Sequence, residues 1–193
     1  MRAAVRMIDN LLCIVQGVYE YSQDPECILR LQLRTSAHSV TVGPQMVVKG
    51  EPVLALHAWN KRMPVIPPDG AELTWALTLR RRLMYSFKEI ARLMQEDLRY
   101  TQVRAVCGSS SLFSFSNHVG GVQVMQRLGF MVIPGYRPLG RFGDFWDNLF
   151  SWCLMWTYNP GSLNQRKFFS LQRTEIWMMR DQFVERYGRT KLR

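Results

Sequence analysis

Apolar and polar residues repeat along the first third of the chain with the spacing first of a helix and then of strands. In residues 3–21, apolar side chains recur at steps of three and four, which predicts an amphipathic helix that ends before Pro25. Residues 27–35 alternate between apolar and polar positions, as a strand with one buried face does. Residues 39–42 and 46–48 are predicted as two further short strands.

A central strand and a long helix follow in the middle of the chain. Residues 52–60 are apolar on both faces, which is typical of a strand with neighbours on either side. After a proline-rich loop over residues 61–70, apolar residues at helical spacing predict a helix over residues 72–98. Residues 102–107 are the next predicted strand, and residues 108–116 are a serine-rich loop.

The last third of the chain is richer in aromatic and basic residues. Residues 117–128 are predicted to form a helix that an asparagine caps and Gly129 ends, with a strand over residues 130–133. Residues 144–158 predict a tryptophan-rich helix that is apolar nearly all round. Residues 165–193 form a basic tail with embedded aromatic residues.

This order of elements predicts an α+β fold, with a mixed, mostly antiparallel sheet flanked by helices. Residues 1–135 form the predicted core, and residues 136–193 form an appended, aromatic-rich helical segment packed on it. A long helix between two strands implies a parallel or splayed pair at that point in the sheet. We therefore expect the strands near His57 and Cys107 to part at their ends and leave a slot bordered by positive charge.

Residues 117–130, NHVGGVQVMQRLGF, are similar to the segment of GNAT acetyltransferases in which an asparagine opens a helix and a Leu-Gly-Phe step leads into the next strand. The resemblance implies a GNAT-like core and an acyl-CoA or acyl carrier protein as donor. GNAT enzymes hold the pyrophosphate of coenzyme A on a glycine-rich loop at a helix N-terminus. Residues 60–75 depart from that loop, with Gly70 as the one glycine and three prolines that lack an N–H.

A second resemblance covers about residues 27–135. The run GEPVLALHAWNKRMP, followed by a serine-opened helix and the sequence RLGF, resembles the YkoP-like domain. That domain occurs in bacteria alone or fused to polysaccharide deacetylases, and the family has no settled activity. The resemblance implies a bacterial protein connected with envelope polysaccharide or lipid.

Composition adds a strong preference for anionic partners. The formal net charge of +10 and the pI of about 9.9 favour an anionic membrane surface, an acidic carrier protein, nucleic acid or a phosphate-bearing cofactor. Nucleic acid is the least favoured partner because the basic residues are spread along the chain. No apolar segment reaches about 18 residues, so we expect a cytoplasmic protein, soluble or peripheral to the inner membrane.

The cysteines and histidines predict no disulfide and no metal site. The four cysteines are far apart and form no CxxC pair, and the three histidines have no metal-ligand spacing. Cys107 ends a predicted buried strand, where a thiol is usually inert packing rather than a nucleophile. We expect four reduced thiols and no metal.

His57 is the first candidate for catalysis, with Asn60 beside it to orient the ring or the substrate. A histidine at the end of a central strand can act as general base, because its ordinary pKa is near 6.5. The alternative is a core histidine bonded to the backbone. The candidate cofactor-binding residues are Arg80, Arg81, Arg82, Ser109, Ser110 and Asn117. The arginines could bind phosphate bidentately or form a solvated face.

The candidate membrane or partner contacts are Trp146, Trp152, Trp156, Arg166 and Lys167. Indole rings with basic neighbours suit the headgroup boundary of an anionic membrane, or base stacking on a single strand. The alternatives are a helix that closes the core and a homodimer contact. We therefore carry three hypotheses: an acyltransferase-type protein acting on an envelope lipid or polysaccharide intermediate, a non-catalytic membrane- or protein-binding module, and a nucleic-acid-binding protein.

Overall fold

The predicted strands of the first half are present, and the second half adds one that the pattern missed. The computed structural model describes residues 1–67, 72–110, 120–135, 140–163 and 174–188. The strands of these residues are β1 (Leu29–Thr35), β2 (Val40–Val42), β3 (Gln45–Val47), β4 (Pro52–Ala58), β5 (Ala105–Ser110), β6 (Met131–Pro134) and β7 (Thr174–Met179). The α-helices are α1 (Arg2–Val15), α2 (Leu73–Glu96), α3 (Gly120–Arg127), α4 (Gly140–Tyr158) and α5 (Arg180–Tyr187).

Five strands form one mixed sheet in the order β1-β4-β5-β7-β6, and β2 and β3 form a separate hairpin. The long helix α2 carries the chain from β4 to β5, which pair in parallel because the crossover returns the chain to the same end of the sheet. The β1–β4, β5–β7 and β6–β7 pairs are antiparallel. The predicted α+β fold with a mixed, mostly antiparallel sheet is confirmed at this level.

One face of the sheet, here called the α2 face, carries the larger apolar core. Helices α2, α3 and α5 pack there against apolar residues of β1, β4, β5 and β7. Phe87 of α2 lies at the centre, with ring centroids 5.4 Å from Phe130, 5.7 Å from Phe183 and 5.0 Å from Tyr187. The three- and four-residue spacing of apolar side chains on α2 therefore serves to cover the sheet.

The opposite face, here called the α1 face, is covered differently. The β2–β3 hairpin packs valine side chains against Ala55, Cys107 and Trp177 over part of it. Helix α1 lies over the β1 side, where Gln32 donates to the carbonyl of Gln16, just beyond the helix end, and α1 packs against α4. In the described residues, no helix is long and apolar enough to span a membrane.

Several predicted boundaries need correction. Helix α1 ends at Val15, six residues before the predicted end, and Gly17 follows it with φ of 68°, a left-handed conformation that glycine adopts easily. Strand β5 begins at Ala105 and runs to Ser110, so the first three residues of the predicted serine-rich loop belong to the sheet. Helix α4 begins at Gly140, four residues earlier than predicted.

The largest correction concerns the basic tail predicted over residues 165–193. Its residues 174–179 form β7, which hydrogen-bonds to β5 on one side and to β6 on the other. Helix α5 follows immediately and packs on α2. Segment 136–193 therefore supplies an inner strand of the sheet as well as a helix beside the core. Residues 164–173 and 189–193 lie outside the described residues.

Candidate functional site

Strands β4 and β5 part at their carboxyl ends. Their parallel pairing runs from Val53 and Ala105 and ends at Leu56 and Gly108. Beyond that point the register of β4 continues only with β1, and the register of β5 only with β7. The next residues, His57 on β4 and Ser109 on β5, therefore lie on either side of a gap in the sheet. The parting of the two strands is as we expected from the order of elements. The expected border of positive charge is not found among the described residues, because Asp9, Asp144, Asp147 and Glu175 line the cavity here as well as Arg30 and Arg34.

Gly108 lies where the two strands diverge, and the space around it is tight. A Cβ atom at this position would meet the side chain of Ile176 at 3.2 Å and the carbonyl oxygen of Leu56 at 3.3 Å. A larger side chain would therefore crowd the last pair of residues before the gap. Glycine keeps the backbones close up to the point where the gap opens.

A cavity of about 960 Å³ reaches both faces of the sheet around this gap. That volume is large enough for a drug-sized ligand. On the α2 face it is lined by apolar side chains, among them Leu79, Leu83, Phe87, Met125 and Ile176. On the α1 face it is lined mainly by polar side chains, among them Arg30, Gln32, His57, Ser109 and Glu175. The two ends of the cavity thus suit chemically different parts of a ligand.

His57 is half-buried and hydrogen-bonds to a side chain of the neighbouring strand β1. Its register partner on β1 is Arg30, and Gln32 lies two residues further along the same face of that strand. Nε2 of His57 lies 3.0 Å from Oε1 of Gln32. The amide nitrogen of Gln32 donates to the carbonyl of Gln16 at 2.6 Å, so its oxygen faces the ring and accepts. This contact favours the tautomer of a neutral His57 in which the proton is on Nε2.

Arg30 places a buried positive charge beside this pair. Its guanidinium donates to Sγ of Cys13 at 3.1 Å and lies 3.4 Å from the carboxylate of Glu20. It also lies 4.8 Å from the ring centroid of Trp59, and the guanidinium of Arg62 lies 3.5 Å from the same ring. Burial raises the pKa of the Cys13 thiol, so this thiol is neutral at ordinary pH.

Glu175 and His38 are site residues that the sequence analysis did not find. Oε2 of Glu175 accepts from the indole nitrogen of Trp177 at 2.9 Å and lies 3.4 Å from Nε2 of His38. Glu175 pairs with Ser109 in the sheet, so a carboxylate lies on the β7 side of the gap. The signal in the sequence was the largely apolar run of residues 174–179, which the basic composition around it obscured.

Cys107 lies beneath the same face but does not suit nucleophilic chemistry. Its thiol is buried, and that burial raises its pKa to about 11. Arg34 donates to Sγ at 3.7 Å, which offsets only part of the effect. The thiol is therefore protonated at neutral pH, in agreement with its interpretation as packing.

The other predicted binding residues lie in different places. Arg81 and Arg82 bind the carboxylate of Glu26 at 2.9 Å and 3.3 Å, and Arg80 is exposed. None of these three arginines is among the described residues that line the cavity. The remaining three candidates differ: Ser109 lines the cavity, Ser110 ends β5, and Asn117 lies outside the described residues.

Asn60 lines the cavity at the start of a loop that packs on the end of α4. The backbone nitrogen of Ile66 donates to Asn159 at 2.9 Å. A Cβ at Gly161 would overlap the carbonyl oxygen of Ile66, so only glycine permits this close approach. The described part of this loop is thus held by the end of α4.

The tryptophans of α4 differ in exposure. Trp146 is 53% exposed and lines the cavity. Trp152 and Trp156 are half-buried, and the guanidinium of Arg2 lies 5.0 Å from the ring centroid of Trp156. Arg166 and Lys167 lie outside the described residues.

Comparison with known proteins gives a family. The family model described as the YkoP domain matches residues 1–187, which include α1, α4, β7 and α5 as well as the segment that suggested the resemblance. No curated protein and no solved structure matches the chain, so the GNAT-like core finds no support in these comparisons. Among the described residues, no group of three or more His, Cys, Asp or Glu is placed to hold a metal. The chain belongs to the YkoP domain family.

Proposed function

We propose that this protein is an acyltransferase with a GNAT-like core, acting on an envelope lipid or polysaccharide intermediate at the inner membrane surface. The observation that carries the proposal is the parting of β4 and β5 beyond Leu56 and Gly108, with a cavity that reaches both faces of the sheet. Such a gap lets a donor and an acceptor approach each other from opposite faces. The link of YkoP-like domains with polysaccharide deacetylases supports an envelope intermediate as acceptor.

The apolar side of the cavity suits the acyl chain. Leu83, Phe87 and Ile176 line it on the α2 face, and burial of methylene groups there is favourable by about 0.8 kcal/mol each. The donor is an acyl thioester, carried by coenzyme A or by an acyl carrier protein. The loop after β4 has one glycine and three prolines, so this proposal does not rely on the phosphate grip of GNAT enzymes.

The polar side supplies the base. A hydroxyl or amine of the acceptor gives its proton to the imidazole of His57, whose ring is oriented by Gln32. The acceptor oxygen or nitrogen then bonds to the acyl carbon, and the bond from that carbon to the thioester sulfur breaks. The thiolate leaves and takes the proton from the imidazolium, so the ring returns to its starting state.

The test combines donor binding with turnover. Palmitoyl-CoA, acetyl-CoA and free coenzyme A are compared by thermal shift, since a ligand that binds only the folded state raises its stability with occupancy. Thiol release from palmitoyl-CoA is then followed with glucosamine and phosphatidylglycerol as acceptors. We expect palmitoyl-CoA to give the largest shift, and His57→Ala to lower thiol release about 10²-fold or more while the shift persists.

The proposal fails if no acyl thioester, including an acylated carrier protein, stabilises the protein. It also fails if His57→Ala keeps full turnover. Gln32→Leu is the matched variant, because it removes the partner of Nε2 but leaves the ring in place. It should reduce turnover less than His57→Ala does.

The second candidate is a non-catalytic module that binds membranes or envelope proteins. The exposed aromatic residues Phe142, Phe145 and Trp146 on α4 favour it. Sedimentation with anionic liposomes that is lost on changing Trp146, Trp152 and Trp156, together with no binding of any acyl thioester, would support the module. A nucleic-acid function, the third hypothesis, requires a salt-dependent shift of single-stranded DNA or RNA.

A further inference from the structure

Helix α1 turns its apolar side away from the protein. Most of its apolar residues form an outward stripe, whereas Val5 and Leu12 are half-buried on the inner side. The outward stripe consists of Ala4, Met7, Ile8, Leu11, Ile14 and Val15. The exposed fraction is 46% for Ile8, 58% for Leu11, 76% for Ile14 and 73% for Val15. An amphipathic helix of a globular protein normally has the opposite orientation, with its apolar stripe on the core.

Polar contacts fix this orientation. Asp9 is the buried residue of α1, and its carboxylate accepts from the hydroxyl of Tyr158 at 3.1 Å. The guanidinium groups of Arg2 and Arg6 lie 5.0 Å and 5.8 Å from the ring centroids of Trp156 and Tyr158. The polar side of the helix is therefore bound to α4, and the apolar side faces solvent.

We propose that the outward stripe of α1 inserts into the headgroup boundary of an anionic lipid bilayer. Helices that bind in this way have one apolar side, a basic polar side and a length too short to span. The exposed ionic side chains of α1 are Arg2 and Arg6, while its one acid, Asp9, is buried. These two cations lie on the side of the helix that is bound to α4, so the attraction to anionic headgroups comes from the formal net charge of +10 of the whole chain, to which they add.

A second copy of the chain is a poorer occupant of the stripe. A helix of 14 residues is about 21 Å long and, with side chains, about 10 Å wide, so its stripe has a footprint on the order of 200 Å². A stable dimer interface buries about 800 Å² on each partner. A bilayer requires no matching surface, and the stripe alone is enough to enter it.

The neighbourhood of α1 is consistent with a bilayer on this side. Leu12, Cys13 and Gln16, on the inner side of the same segment, and Trp146 of α4 line the cavity that reaches the gap in the sheet. Membrane insertion by α1 does not depend on the acyltransfer proposal, because the stripe and the base at His57 are separate groups.

The experiment is co-sedimentation of the full chain with vesicles. Vesicles of phosphatidylglycerol and phosphatidylcholine are compared with vesicles of phosphatidylcholine alone. The stripe variant combines Ile8→Ser, Leu11→Ser and Val15→Ser; the control variant combines Leu73→Ser, Leu98→Ser and Met46→Ser, which are exposed apolar residues elsewhere. We expect the wild type and the control to bind the anionic vesicles and the stripe variant to bind about 10²-fold more weakly.

Thermal denaturation checks that each variant is folded, and light scattering gives the oligomeric state without vesicles. Equal sedimentation of the stripe variant and the wild type overturns the proposal, as does a wild type that does not sediment. If the wild type is a dimer and the stripe variant is a monomer, the stripe binds a second copy of the chain, and the membrane proposal is also overturned. Loss of binding in Trp146→Ser, with binding retained in the stripe variant, assigns membrane contact to α4 instead.

Discussion

The two faces of the sheet are built on different principles. The α2 face is an apolar core in which Phe87, Phe130, Phe183 and Tyr187 pack ring to ring. The α1 face carries buried or half-buried polar groups, and its covering helix docks through charged and aromatic side chains. The comparison indicates that the α2 face supplies most of the stability, whereas the α1 face holds the groups that can act on a ligand.

The largest expected loss of stability comes from a substitution on the α2 face. Phe87→Ala removes the ring at the centre of the aromatic cluster and leaves a cavity. We expect the free energy of unfolding to fall by about 3–5 kcal/mol, measured by urea denaturation. The control Leu98→Ala changes a residue that is 88% exposed and should cost less than about 0.5 kcal/mol. A small loss for Phe87→Ala would mean that stability is not concentrated on the α2 face.

A smaller loss of stability, confined to alkaline pH, is expected from Cys107 on the α1 face. The pKa of Cys107 is about 11 in the folded protein, above the ordinary value of 9.0, so its neutral form is favoured by folding. The unfolded thiol ionises first as the pH rises, and the associated stability is therefore lost between pH 9 and pH 11, by roughly 1.4 kcal/mol per pH unit.

The variant Cys107→Ala isolates this contribution from those of the tyrosines. The variant has no thiol to ionise at this position, so its stability lacks this pH dependence. We therefore expect the excess free energy of unfolding of the wild type over the variant to decrease between pH 9 and pH 11. Urea denaturation at pH 8, 9 and 10 measures the difference. A difference that stays constant with pH would contradict the raised pKa of Cys107.

The sequence predicted the elements whose own pattern is unambiguous. Strand β4 is apolar on both faces and α2 repeats at helical spacing, so each could be found without knowledge of its neighbours. Strand β7 was missed because its six residues lie in a basic segment whose composition indicated a tail. A strand of six residues can be recognised only if the sequence pattern is assessed over a stretch of about the same length.

The site was less predictable than the fold because it depends on contacts between distant residues. His57 was found as a histidine at a strand end, but its partner Gln32 is 25 residues away and follows only from the β1–β4 register. Periodicity identified α1 as amphipathic without indicating which side faces the protein. The buried Asp9 and its partner Tyr158 on α4 decide that, and they are 149 residues apart in sequence.

The smallest expected effect is a faster exchange of the amide hydrogens of α1, which reports how weakly this helix is bound to the rest of the protein. Arg6→Ala removes the guanidinium from the ring of Tyr158, an exposed cation–π contact that contributes about 0.5–1 kcal/mol. If α1 opens locally, its amide hydrogens should exchange about two- to five-fold faster in the variant, as measured by mass spectrometry.

The control for this exchange measurement is Arg92→Ala, on the surface of α2, which should leave α1 unchanged. Because α2 buries its apolar side and α1 exposes it, α2 amides should exchange more slowly than α1 amides in every variant. Equal protection of the two helices would contradict the contrast between the faces, since it would mean that polar and aromatic contacts hold α1 as firmly as the apolar core holds α2.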